Sequence, residues 1–251
     1  MWQELCKTRE EYLERAKLDT KGYSPRQSET LLYEIARLDG MDIKKQDFFN
    51  ILNDIEISPK VTREDTHRIK DLSNAFLYLV KCAQQRKRLS LDFVREVSAK
   101  VMQHTGKEVY TTIGGYDTSL GDFRLGEKYY EEGVLANYAQ IPDMLEQLCK
   151  ETNEKLGNVH DILTVKLAAD FHYRFMHIKP FGAGNITVGL LMMNYIQMMF
   201  REPLIIIPGE DKAKYLAAIK MQKDTPTPEI FERFVGEELL SQLRKEVSPQ
   251  K

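Results

Sequence analysis

At 178–185 the chain reads Ile-Lys-Pro-Phe-Gly-Ala-Gly-Asn, and an apolar stretch follows directly. Glycines at 182 and 184 allow backbone conformations and close approach that a side chain forbids. A Gly-x-Gly turn that opens a helix presents unpaired backbone N–H groups and the positive end of the helix dipole. That arrangement holds phosphate and other anions. Asn185, at the helix start, is placed either to cap the helix or to donate to a phosphate oxygen. The anion-binding candidates along this turn and helix start are Gly182, Ala183, Gly184, Asn185 and Thr187, with Lys179 beside them as a point charge. Plain structural turns before helices are also common, so the spacing alone leaves both readings open.

Few other residues compete for chemistry. His177 lies two positions before Lys179, on the same side if the segment is extended, and loop packing explains it equally well. His172 falls within an apolar helical stretch and reads as a core histidine with a hydrogen-bond partner. Neither has the spacing of a metal site. The three cysteines, Cys6, Cys82 and Cys149, are far apart and odd in number, which argues against a disulfide framework or a zinc site.

The elements that must position the turn are mostly helical. Leu31, Leu32, Ile35 and Leu38 share one face, with Gly40 as a stop. Phe48, Phe49, Leu52 and Ile55 form a short amphipathic segment ended by Ser58-Pro59. Ile69, Leu72, Phe76, Leu79 and Val80 mark another helix. Ser90 is placed to cap the next, which runs through Phe93 and Val97. Ile141, Leu145, Leu148, Cys149 and Leu156 repeat at helical spacing. Residues 162–175 and 186–200 are apolar on nearly every face, which puts both helices in the centre. Thr227-Pro228-Glu229 opens a last helix toward Leu243. The exception is 109–125, where Val-Tyr-Thr-Thr-Ile, then Gly114-Gly115, then the run from Tyr116 reads as a β-hairpin turning at the glycines. The expected fold is all-α, a single domain with a small β-hairpin.

Composition narrows the function class. With 251 residues, 42% of them apolar and 29% charged, the chain builds a sizeable core as an ordinary globular protein. A formal charge of −2 supplies no global basic field for nucleic acid or an anionic membrane. The densest basic stretch, 81–88, reads as a solvated helix end. The N-terminus lacks the apolar core of a signal peptide, and the longest apolar run, about 15 residues, is short for a membrane span. A cytoplasmic protein that binds neither nucleic acid nor membrane is the expectation.

The run 171–185, Phe-His-Tyr-Arg-Phe-Met-His-Ile-Lys-Pro-Phe-Gly-Ala-Gly-Asn, with Gly-Leu-Leu-Met-Met-Asn at 189–194, resembles the Fic (Fido) family. The family motif is H-P-F-x-(D/E)-G-N-G-R-x-x-R. Pro180, Phe181, Gly184 and Asn185 match it, as do the upstream Phe175 and Ile178. Ile113-Gly114-Gly115-Tyr116 is similar to the flap that lies over the family's active site. The resemblance spans about 31–243. It implies an N-terminal helical arm over 1–60 and a helical core over 61–251, with the flap at about 109–125 and the motif loop at 177–190.

The resemblance implies transfer of AMP from ATP to a protein hydroxyl, with a histidine base, an acidic Mg²⁺ ligand and phosphate-binding arginines. Here those positions carry Lys179, Ala183, Thr187 and Leu190, and the second motif glycine is Ile186. A lysine, with an ordinary pKa near 10.4, acts as a base at neutral pH only at a cost of roughly 4 kcal/mol. Loss of a general base alone costs about 10²–10⁴ in rate, and losing the metal ligand and arginines removes electrostatic stabilisation as well. Efficient AMP transfer is not expected. ATP or another nucleotide remains the implied cofactor, and Mg²⁺ is not expected because of Ala183. Many members silence themselves through a helix carrying (S/T)-x-x-x-E-(G/N). Asp39-Gly40 and Glu34 (four after Thr30) are the two alignments, and with Leu190 in place of the second arginine neither acid has its implied partner. The resulting expectation is a Fic-like protein of impaired activity that binds an anion, a nucleotide or a protein partner, the partner through the flap by strand addition. The alternatives are a transferase of altered chemistry using Lys179, or a helper acting through self-association, which the sequence does not address.

Overall fold

The structure, a computed structural model, describes residues 1–16, 23–55, 58–126, 129–130, 133–134, 136–157, 163–224 and 228–248. Among these are ten α-helices: α1 Trp2–Ala16, α2 Pro25–Leu38, α3 Lys45–Leu52, α4 Arg63–Gln84, α5 Leu91–Val101, α6 Ile141–Leu156, α7 Thr164–Ile178, α8 Asn185–Met199, α9 Lys212–Asp224 and α10 Glu229–Val247. Two antiparallel hairpins complete the set. One pairs β1 Glu108–Thr111 with β2 Gly114–Asp117, and the other pairs β3 Tyr129–Tyr130 with β4 Gly133–Val134. The fold is all-α, as the periodicity predicts.

Helix α8 lies at the centre. All its residues from 187 to 198 are buried, and α2, α4, α5 and α7 pack around it. That matches a helix apolar all round, which has no solvent face to offer. Asn194 ties its middle to the segment after it. Asn194 Nδ2 donates to the carbonyls of Leu190 and Ile205, and its Oδ1 accepts the Ile205 N–H at 2.8 Å. Around this axle α1 lies along α10, held by a Glu4–Arg244 ion pair, while Arg9 pairs with Glu202. No helix among the described residues is long and apolar enough to cross a membrane.

The caps explain the helix starts. Ser24 and Thr62 each form a capping box, with Gln27 and Asp65, and the Ser90 hydroxyl accepts the Phe93 N–H at 3.1 Å as expected. Three boundaries differ from the expectation. α3 stops at Leu52, because Asn53 caps it and Asp54 turns left-handed at φ 55°, so Ile55 is 57% exposed rather than part of the apolar face. The hairpin turns at 112–113 and not at the glycines, since Thr111 pairs with Gly114. Both glycines lie in β2. Gly114 needs its φ of +143°, and a Cβ at Gly115 would crowd the Tyr110 ring at 3.3 Å. α7 begins at Thr164 and extends to Ile178. Ile162 and Thr227, named in two of the expected helix starts, lie outside the described residues.

Candidate anion site at the turn before α8

The turn is built between the end of α7 and the start of α8. Lys179 closes α7 in the left-handed conformation at φ 41°, its N–H reaching the Phe175 carbonyl at 2.9 Å. That position usually carries glycine, because a Cβ there costs about 1–2 kcal/mol. Lys179→Gly is therefore expected to raise stability by roughly 0.5–1 kcal/mol, net of glycine's larger entropy loss. A thermal melt checks it, and a lowered midpoint would show that the lysine side chain holds the turn by its own contacts.

Arg124, only 1% exposed, fixes the carbonyls at that helix end. Its Nε donates to Lys179 O at 2.8 Å, Nη2 to Ala136 O at 2.6 Å and Ile178 O at 3.3 Å, and Nη1 to Gly126 O at 3.2 Å. Its backbone N–H reaches Pro180 O at 2.9 Å. Alongside, Phe123 bridges to Phe181, and their rings stack 5.7 Å apart. The segment following the hairpin is thus sewn to the turn. Nothing in the spacing marks Arg124. It shows only as an arginine beside an aromatic after the hairpin.

Asn185 Oδ1 accepts the Phe181 N–H at 3.0 Å and its Nδ2 donates to Phe181 O at 2.8 Å, so the asparagine closes the turn on itself. It does not make the expected helix cap, since Gly184 is the N-cap and no side chain caps α8; the amide braces the turn instead. Gly184 is the N-cap of α8 at φ 73° and brings no side chain to cap it. The first N–H groups of α8 therefore lack helical partners. A Cβ on Gly184 would meet Met102 Sδ at 3.1 Å, and one on Gly182 would meet the Tyr116 ring and hydroxyl at 2.7 Å. Only glycine lets the hairpin's Tyr116 lie on the turn. Tyr116 is 6% exposed, whereas Ile113 at the hairpin tip is 49% exposed.

A cavity of about 430 Å³ opens here. Gly182, Ala183, Gly184 and Thr187 form its floor, Tyr116 and Thr118 its hairpin side, and Asp39, Glu64, Arg68 and Lys107 its charged wall. The structure thus gathers four of the five anion-binding candidates and one inhibitory-helix candidate at one place. Asn185 and Lys179 stand behind that lining, the first in the turn and the second at the end of α7.

The two candidate acids separate. Glu34 faces away, its Oε2 accepting the Gly209 N–H at 2.7 Å and Arg37 Nη1 at 3.3 Å. Asp39 faces the cavity. Its Oδ2 accepts Arg68 Nη2 at 3.2 Å, and the Thr187 hydroxyl lies close enough to the same carboxylate to favour its charged form. Burial pushes the Asp39 carboxyl above its ordinary pKa, against the opposing pull of Arg68, Thr187 and Lys212. The partner the resemblance implies, an arginine at 190, is replaced by leucine; Asp39 instead meets Arg68 from α4, as Glu34 meets Arg37. The sequence offered one signal, an arginine at the edge of the apolar stripe that starts at Ile69.

The remaining candidates are structural. His172 is fully buried, with Nε2 2.8 Å from the Tyr215 hydroxyl and its ring stacked on Phe231. His177 Nδ1 bonds back to Tyr173 O at 2.9 Å. No group of three or more His, Cys, Asp or Glu side chains among the described residues is placed to hold a metal ion. Ala183 brings no donor to the turn, and the carboxylates on the cavity wall are Asp39, engaged with Arg68, and Glu64. A phosphate-bearing group fits the turn, given N–H groups at the start of α8, a hydroxyl and a guanidinium around one cavity.

Comparison with known proteins agrees with this geometry. Residues 88–197 match the model of the Fic/DOC family. The chain is similar to the protein adenylyltransferase Fic of Drosophila erecta, 24% identical over 162 residues that cover 64% of this chain and 30% of the fly protein. The same protein of Drosophila virilis is 24% identical over 162 residues, 64% of this chain and 31% of that one. The matched part thus spans under a third of the length of these curated relatives. Among solved structures, a Fic domain containing signaling protein from Bacteroides thetaiotaomicron aligns with a TM-score of 0.78 at 18% identity, over 97% of this chain and 95% of that one. Fic-1 from C. elegans aligns with a TM-score of 0.76 at 18% identity, over 98% and 71%. At such identities the likeness concerns the fold, and it runs through the whole chain.

Proposed function

The chain carries a Fic/DOC-family domain over 88–197, and from that premise we propose that it is an adenylyltransferase-like protein whose site binds a nucleotide such as ATP, or another phosphate-bearing ligand, without efficient AMP transfer. The observation that carries this reading is the cavity of about 430 Å³ floored by Gly182, Ala183, Gly184 and Thr187. Its backbone offers what an anion needs, while Lys179 and Ala183 stand where the resemblance expects the base and the metal ligand. Asp39 then acts as the residual inhibitory acid, a carboxylate of the chain itself standing where a ligand's charge would go. A protein target is the natural partner. The hairpin, with Tyr110 78% and Ile113 49% exposed, supplies an edge for an extended segment.

The alternative, a transferase using Lys179, draws less support because that residue lies at the end of α7 and not on the cavity wall. Isothermal titration with ATP and ADP, with and without Mg²⁺, tests the reading. Binding of similar strength in both conditions is expected, and no binding at millimolar nucleotide would overturn the nucleotide claim. A lysate incubated with labelled ATP is expected to show no protein labelling. Labelling that Lys179→Ala abolishes would establish the transferase instead.

A further inference from the structure

We infer that Arg68, from α4, is the residue that grips the anion in this cavity, and that Asp39 holds its place until a ligand arrives. The inference rests on the anion-site reading above and adds a residue that the family motif does not contain.

The chain needs a cation that its motif turn does not supply. Thr187 is neutral, and Leu190 is 2% exposed within the core. Of the charged residues on the cavity wall, Asp39 and Glu64 are acidic and Arg68 and Lys107 basic. Arg68 is the one whose hydrogen bond converges with a donor from α8. Its Nη2 donates to the Asp39 carboxylate at 3.2 Å, and the Thr187 hydroxyl faces the same carboxylate across the cavity. Two donors from separate helices thus meet at a single pair of oxygens, the arrangement a terminal phosphate needs. A guanidinium suits it better than an ammonium, because its planar fork can serve two oxygens at once.

Asp39 is a poor permanent occupant. It is largely withdrawn from water, and burial outweighs the attraction of Arg68 and Lys212. A phosphate monoester or diphosphate brings more charge and more acceptor oxygens to the same donors. The exchange is Asp39 out and phosphate in, with Arg68 and Thr187 common to both states. No metal ion is required, because Arg68 supplies the positive charge.

The test is titration of pyrophosphate and of ADP into the full chain and its variants Asp39→Asn, Arg68→Met and the double variant, without divalent ions. Asp39→Asn is expected to bind at least tenfold more tightly than the parent. Adding Arg68→Met to it is expected to lose at least tenfold, and Arg68→Lys to lose part of that. Thermal melts confirm folding, and Arg68→Lys carries the test if Arg68→Met does not fold. If the double variant binds as tightly as Asp39→Asn, Arg68 is only a strut between α4 and α2, and this inference falls while the anion site stands. An Asp39→Asn variant no tighter than the parent would overturn the placeholder role. If neither the parent nor Asp39→Asn binds either ligand at millimolar concentration, the anion-site reading itself falls.

Discussion

Arg124→Met should lower the unfolding free energy by about 3–5 kcal/mol, as the unpaired carbonyls it leaves cost about 1–3 kcal/mol each when buried. The guanidinium serves Ile178, Lys179, Gly126 and Ala136 at once, at 1% exposure. Water can reach part of this set after the substitution, which keeps the total below a simple sum. The methionine fills the volume, so the loss comes from hydrogen bonds and not from a cavity. Arg124→Lys should rescue little, because a single ammonium cannot span four carbonyls in a plane. Urea denaturation of both variants measures it. A loss under 1 kcal/mol would mean that the α7 end holds itself, and the hairpin and turn would then be less firmly joined than the geometry implies.

The second large effect is one of pH. Burial pushes the His172 imidazole down to about 4 from an ordinary 6.5. The unfolded chain therefore takes up a proton there below pH 6.5, which the folded chain refuses until about pH 4. The stability from the neutral imidazole is complete above pH 6.5 and is lost as pH falls toward 4, by about 3 kcal/mol over that window. Asp39, Glu232 and Glu238, whose carboxyls burial pushes upward, act in the opposite sense and partly mask it. Comparing urea midpoints of the parent and His172→Gln between pH 7 and 4.5 isolates the histidine. The variant should start less stable and fall less steeply. Parallel curves would show that another group carries the acid sensitivity.

Much of the frame was legible because periodicity reports burial. The stripes at 31–38 and 69–79 and the all-round apolar run that became α8 point to the same core faces that the structure shows. The turn was legible because Gly182 and Gly184 have no substitute. Gly114-Gly115 misled for a related reason. Such a pair signals a turn, yet here the glycines serve the Tyr110 ring and a left-handed backbone within β2. Glu34 and Asp39 could not be told apart from sequence. They lie five residues apart and so point to different sides of α2, and only the docking of α2 decides which side meets α8. Arg68 and Arg124 gave only faint signals, because each acts on residues far away in the chain.

Leu190 bears on what it would take to complete the motif. It occupies the position where the Fic resemblance expects the second arginine, and it is 2% exposed among α8's neighbours. An arginine there would place a guanidinium in a core closed around leucine, with Asp39 already paired to Arg68. Filling in the motif residue by residue would therefore cost stability before it could supply chemistry, because the packing around α8 and the charge at its start are one problem and not two.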